Sequence, residues 1–138
     1  MKAKRPAGFL NVDLEIESSG LLDSLGEEMG KAVTVLYSGP SKGKRHLLSL
    51  ESSRSPNTAD AAARSLCSTV ERLSAHGRTL WDRATRREFD VGYELPAGVR
   101  AAHVALQPET LRRIVALGAT VAFTCYREDN SEPSGLSQ

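Results

Sequence analysis

Aromatic residues are scarce, with one Trp, three Tyr and three Phe among 138 positions, and cysteine is scarcer, with only Cys67 and Cys125. Two lone thiols without CxxC spacing provide neither a disulfide framework nor a zinc site, so buried, reduced side chains are expected. No apolar run approaches the roughly 20 residues that span a bilayer. Charge of one sign is also missing: 18 Lys and Arg against 17 Asp and Glu leave a formal net charge of +1. That balance offers no global field to nucleic acid or an anionic membrane, so both are disfavoured as partners. The positive first residues are followed by Asp13 and Glu15 where a secretory signal needs its apolar core, and a cytoplasmic location is expected. No metal-ligand spacing and no Ser with a nameable His-Asp partner stand out, so no catalytic residue, cofactor or metal is assigned.

What is present is periodicity. Leu10, Val12, Leu14 and Ile16 alternate with Asn11, Asp13, Glu15 and Glu17, which predicts a half-buried strand over 9–17. Leu21, Leu22, Leu25 and Met29 form one face of a helix that Gly26 weakens. Residues 33–37 read as a second strand, broken by Gly39, Pro40 and Gly43 in a mobile basic loop before the return strand 46–51. From Ala59 the apolar residues at 59, 62, 63, 66, 70 and 73 predict the longest helix, capped by 56–58 and ended by His76-Gly77. A further turn over 78–83 leads to a strand with Phe89, Val91, Tyr93 and Leu95 inward, then a turn at 96–98 into a strand over 100–106. A helix opens at Pro108 and closes at Gly118, and 120–126 is the last strand.

The expected order is βαββαββαβ: one α+β domain over 9–127, a flexible basic N-terminus over 1–8 and a disordered tail over 128–138. One-sided strands imply a mainly antiparallel or mixed sheet with helices on one face. A ferredoxin-like split β-α-β sandwich with an added βαβ unit is the first architecture.

Residues 80–93 hold the only Trp with Phe89 and Tyr93, and act as the expected anchor of the chain. Two candidate sites follow. Asp13, Glu15 and Glu17 share one strand face and Asp90 and Glu94 another; neighbouring strands would unite five carboxylates able to bind a cation or act as acid and base. A solvated outer face is the plain alternative. The second site sets Arg83, Arg86 and Arg87 on one side of a helical turn beside Trp81, with Asp90 and Tyr93 nearby, as a clamp for a carboxylate or phosphate. Its plain alternative buries Trp81 and pairs the arginines with Asp82, Glu88 or Asp90. The loop 39–45 leads into a strand, where a phosphate loop must open a helix.

Leu10–Glu17, Leu80-Trp81-Asp82, Phe89–Glu94 and Thr110–Ile114 ahead of Leu117-Gly118-Ala119 resemble stretches of a family of small uncharacterised bacterial proteins that share a domain of unknown function. The resemblance covers roughly 9–127, implies a bacterial cytosolic α+β domain, and supplies no activity or site residue. The expected function is a non-catalytic binding module, monomeric or homodimeric, recognising a protein partner or a small acidic ligand. A toxin-neutralising immunity-type protein is one version, by analogy of size and class. A small enzyme using the carboxylates, with or without a metal, and a structural oligomer are the alternatives.

Overall fold

Period-two alternation places Phe9–Ser18 (β1) at the centre of a five-stranded sheet, with Val12, Leu14 and Ile16 buried on one face and Asn11, Asp13, Glu15 and Glu17 on the other, as the pleat requires. The computed structural model describes residues 8–127; apart from Gly8, the expected basic N-terminus and polar tail lie outside them. Asp23–Met29 (α1) leads through a 3-10 turn to Val33–Pro40 (β2), which turns back into His46–Ser52 (β3). Ala59–Glu71 (α2) and Ala75–Arg83 (α3) lead to Arg86–Leu95 (β4), and Pro108–Ala116 (α4) precedes Thr120–Arg127 (β5).

The strand order is β2-β3-β1-β4-β5, antiparallel throughout except that β5 runs parallel to β4. Strands β1 to β4 therefore have the expected split β-α-β arrangement, and α4 with β5 is the added unit. All four helices feed one core. Leu25 and Met29 of α1, Leu66 and Val70 of α2, Trp81 of α3 and Ile114 of α4 pack with Leu14, Ile16, Leu50, Phe89 and Val91 from the same face of the sheet. Among the described residues no helix covers the other face, and its positions are mostly polar. Among the described residues no helix is long and apolar enough to cross a membrane.

Three elements depart from the sequence expectation, each for a local reason. Strand β2 does not stop at Tyr37; it runs to Pro40, with Gly39 and Pro40 registered against Leu47 and His46. It is an edge strand, and Pro at its last position sacrifices no ladder bond. The turn is short, closed by Ser41 N–H to Arg45 O at 2.7 Å and a 3-10 turn at Lys42–Lys44.

Helix α2 ends at Glu71, and His76-Gly77 belongs to the first turn of α3. Ser74 begins that helix, its Oγ accepting from Gly77 N–H at 3.1 Å, while the Glu28 carboxylate accepts from both Ser74 N–H and Ser74 Oγ. Gly77 fits because a Cβ there would collide with the Glu28 carboxylate.

Residues 100–106 form no strand. Strand β4 already has β1 on one side and β5 on the other, so the segment finds no free edge beside β4. It stays irregular, with Val104 and Leu106 packed onto the core.

Candidate functional site

The register answers which carboxylates are neighbours. Glu51 of β3 lies opposite Asp13 of β1, and Asp13 lies opposite Asp90 of β4. Three acidic side chains thus stand abreast on adjacent strands about 4.8 Å apart, on the open face. Like charges directly across a ladder are destabilising. The outer two are satisfied by neutral donors: Asn11 Nδ2 donates to Glu51 Oε1 at 3.2 Å and Thr124 Oγ1 to Asp90 Oδ1 at 2.8 Å. Asp13 Oδ1 is buried and has no hydrogen-bond partner among the described residues. Burial, with Glu51, Glu15 and Asp90 around it, pushes the Asp13 carboxyl up to about 6.

The far end of the same face is neutralised. Arg86 bridges Glu15 at 3.3 Å, Glu17 at 3.5 Å and Glu88 at 3.0 Å. Ser41 Oγ donates to Glu17 at 2.6 Å, and this bond, with Arg86 and Arg45, holds Glu17 below the usual carboxylate range. Glu94 stands apart, beyond Gly92 and opposite Tyr126 of β5. The expected five-carboxylate face is thus a compensated cluster at Glu15 and Glu17 and a row at Glu51, Asp13 and Asp90 that no cation among the described residues compensates. Among the described residues no set of three or more His, Cys, Asp or Glu is placed to hold a metal ion.

The arginines do not cluster beside Trp81. Arg86 and Arg87 are consecutive on a strand, so they point to opposite faces. Arg86 serves the acidic face. Arg87 donates to the carbonyls of Trp81, Asp82 and Ala84 at the end of α3 and to Gly118 O beyond α4. Arg83 is exposed on the last turn of α3. Trp81 is wholly buried, its Nε1 donating to Leu117 O at 2.8 Å. Tyr93 lies six residues along β4 from Arg87, about 20 Å away. The expected clamp is therefore a packing joint between α3, α4 and β4.

No family model, curated protein or solved structure matches the chain.

Two further constellations lie outside these sites, one a sequence motif that sequence reasoning missed and one assembled by the fold. Residues 39–43, Gly-Pro-Ser-Lys-Gly, satisfy the spacing of a nucleophile elbow, but Ser41 sits in a strand-to-strand turn with its hydroxyl donated to Glu17, where an elbow needs a strand-to-helix turn. Ser38 Oγ lies 3.2 Å from His46 Nε2, and Asp23 Oδ1 lies 3.6 Å from that same nitrogen. A catalytic triad sets its acid on the other ring nitrogen, so this group is a polar latch between α1 and the β2-β3 hairpin. Cys67 is buried, and burial pushes its thiol up to about 11; Cys125, expected buried, is exposed on β5.

Glu51 and Glu88 belong to the acidic face and are absent from the sequence candidates. The alternation of Leu47, Ser49 and Glu51 carries a signal for Glu51, readable only once β3 is known to flank β1.

The row costs stability, and its sign is testable. Asp13 binds its proton more tightly folded than unfolded, so the folded state is favoured as pH falls from about 6 toward 4 and disfavoured above. Glu17 and Glu71 act oppositely, their stabilisation being lost as pH falls below the ordinary carboxylate range. Asp13→Asn removes the charge and gives Glu51 or Asp90 an amide donor. It should raise stability at pH 7 by about 1–2 kcal/mol after allowance for solvent screening. Melting curves at pH 7 check this; a lower Tm for the variant would mean that the charged carboxylate stabilises the sheet.

Proposed function

We propose that the protein is a non-catalytic interaction module whose open sheet face receives basic side chains of a protein partner at the Glu51–Asp13–Asp90 row. An immunity-type inhibitor covering a basic enzyme surface is the concrete form. The observation that carries the reading is the buried, unpartnered Asp13 Oδ1 between two further carboxylates. A structural sheet gains nothing from that arrangement, whereas a Lys or Arg laid across the row by a partner offsets the charge of the three neighbouring carboxylates. The open face also suits recognition better than turnover, which benefits from an enclosed substrate.

The test uses a labelled Lys/Arg-rich peptide that lacks His and acidic residues. Asp13→Asn should weaken its binding by about tenfold or more, while Glu27→Gln with Glu109→Gln, on exposed helical positions, should leave it unchanged. Equal weakening by both would reduce the interaction to general charge attraction.

A homodimer through the β5 edge is the second reading, favoured by Phe123 and Tyr126, which are 54% and 53% exposed on opposite faces of that strand. Light scattering of the wild type and Phe123→Lys distinguishes it: a dimer that the substitution dissociates supports this reading, and a monomer in both removes it.

A further inference from the structure

Away from the carboxylate row, on the helical side of the molecule, a cleft of about 610 Å³ is lined by Lys31, Arg54, Arg64, Arg72 and Arg113 and, among the described residues, by no Asp or Glu. It follows from what α2 turns outward. The apolar stripe of α2 enters the core, and its opposite side carries Ser65 and Ser68 between Arg64 and Arg72, with Ala61 one turn before them. Small side chains along the middle of a helix face, with a guanidinium at each end, leave a trough. The 3-10 turn before β2 brings Lys31 to its rim, and the β3-α2 connection brings Arg54.

Two of the five cations are engaged. Arg64 pairs with Asp60 at 3.0 Å, and Arg113 pairs with Glu71 at 2.7 Å and donates to Ser68 Oγ at 3.0 Å. The hydrogen bond from Arg113 holds Glu71 below the usual carboxylate range, which keeps that pair formed. With its oxygen accepting from Arg113, the Ser68 hydroxyl retains a proton to donate. Lys31, Arg54 and Arg72 are exposed and form no salt bridge among the described residues. Arg72 acts on Glu71 only at longer range, beyond ion-pair distance, so positive charge is in excess around the trough, a cost that a multiply charged anion removes.

We propose that this cleft binds a phosphorylated small molecule through a di- or triphosphate group. Guanidinium forks match phosphate oxygens in pairs, and Lys supplies a point charge beside them. The volume falls in the range of small-molecule sites. Among the described residues no aromatic side chain lines the cleft, so they provide no stacking platform for single-stranded nucleic acid. The feature is independent of the carboxylate row and stands or falls separately.

Calorimetric titration with inorganic phosphate, pyrophosphate and tripolyphosphate at fixed ionic strength tests it. Affinity should rise by about tenfold or more from phosphate to tripolyphosphate. The triple variant Lys31→Gln, Arg54→Gln, Arg72→Gln should lose about tenfold or more, and Lys42→Gln with Lys44→Gln on the β2-β3 turn should bind as the wild type does. The three cleft side chains are exposed, so the triple variant should keep the wild-type Tm; if it does not, Arg72→Gln alone decides by the same criterion. Absence of binding at millimolar tripolyphosphate, or equal loss in both sets of variants, overturns the proposal. So does a mixed-sequence oligonucleotide that binds more tightly than tripolyphosphate and is lost in the triple variant, which would make the cleft a nucleic-acid surface.

Discussion

Trp81→Ala is expected to remove about 3–5 kcal/mol of stability, a large share of the roughly 5–15 kcal/mol that a domain possesses. Trp81 is among the largest fully buried side chains and lies where α3 meets the end of α4. Its removal leaves a cavity and also strands Leu117 O without its donor. Trp81→Phe separates the two contributions: most of the burial is kept and the hydrogen bond is lost, for a cost of about 1–2 kcal/mol. Urea unfolding followed by far-UV circular dichroism reads both. A wild-type midpoint for Trp81→Ala would mean that the ring lies in a cleft, as the clamp expectation had it.

Arg87→Ala is expected to cost about 2–3 kcal/mol although Arg87 lies at the rim of the core. Its guanidinium donates to four carbonyls, three where α3 ends and one just beyond α4. Helix C-termini carry unsatisfied carbonyls and partial negative charge, so one cation placed between two of them satisfies both. Arg87→Lys should recover little, because an ammonium lacks the planar fork that reaches several acceptors. Arg83→Ala, four residues earlier and exposed, should change stability by no more than about 0.5 kcal/mol. Amide exchange localises the effect: with Arg87→Ala, protection should fall first at 81–84 and 116–118. Equal costs for Arg83 and Arg87 would restore the idea of one arginine cluster.

The contrast between those arginines shows where sequence legibility ended. Read as a helix, Arg83, Arg86 and Arg87 share a side; the chain leaves α3 after Arg83 and enters β4 at Arg86, so consecutive residues diverge to opposite faces. Positions of elements were readable wherever a two- or 3.6-residue period was strong, as in β1, α2 and α4. Strand 100–106 was wrongly expected because alternation describes a segment able to pair and says nothing about whether an edge is free. The acidic face was half legible. Asp13 and Asp90 were visible as outward residues, but their meeting, and the arrival of Glu51, depended on β1 lying between β3 and β4, which is long-range information. The basic cleft was not legible at all, since Lys31, Arg54, Arg72 and Arg113 come from four separate stretches.

A chain that keeps three carboxylates abreast at its sheet centre carries a cost that a single Asn would relieve. On the present account the cost is retained for recognition, and the proton on Asp13 should then control it. The decisive measurement is the affinity of the His-free basic peptide followed between about pH 7.5 and pH 5 at constant ionic strength. The wild type should lose affinity several-fold as Asp13 takes up its proton near pH 6, and Asp13→Asn, weak throughout, should show a flat profile. A flat wild-type profile, or the same slope in both proteins, would contradict the assignment of the Glu51–Asp13–Asp90 row as the recognition site.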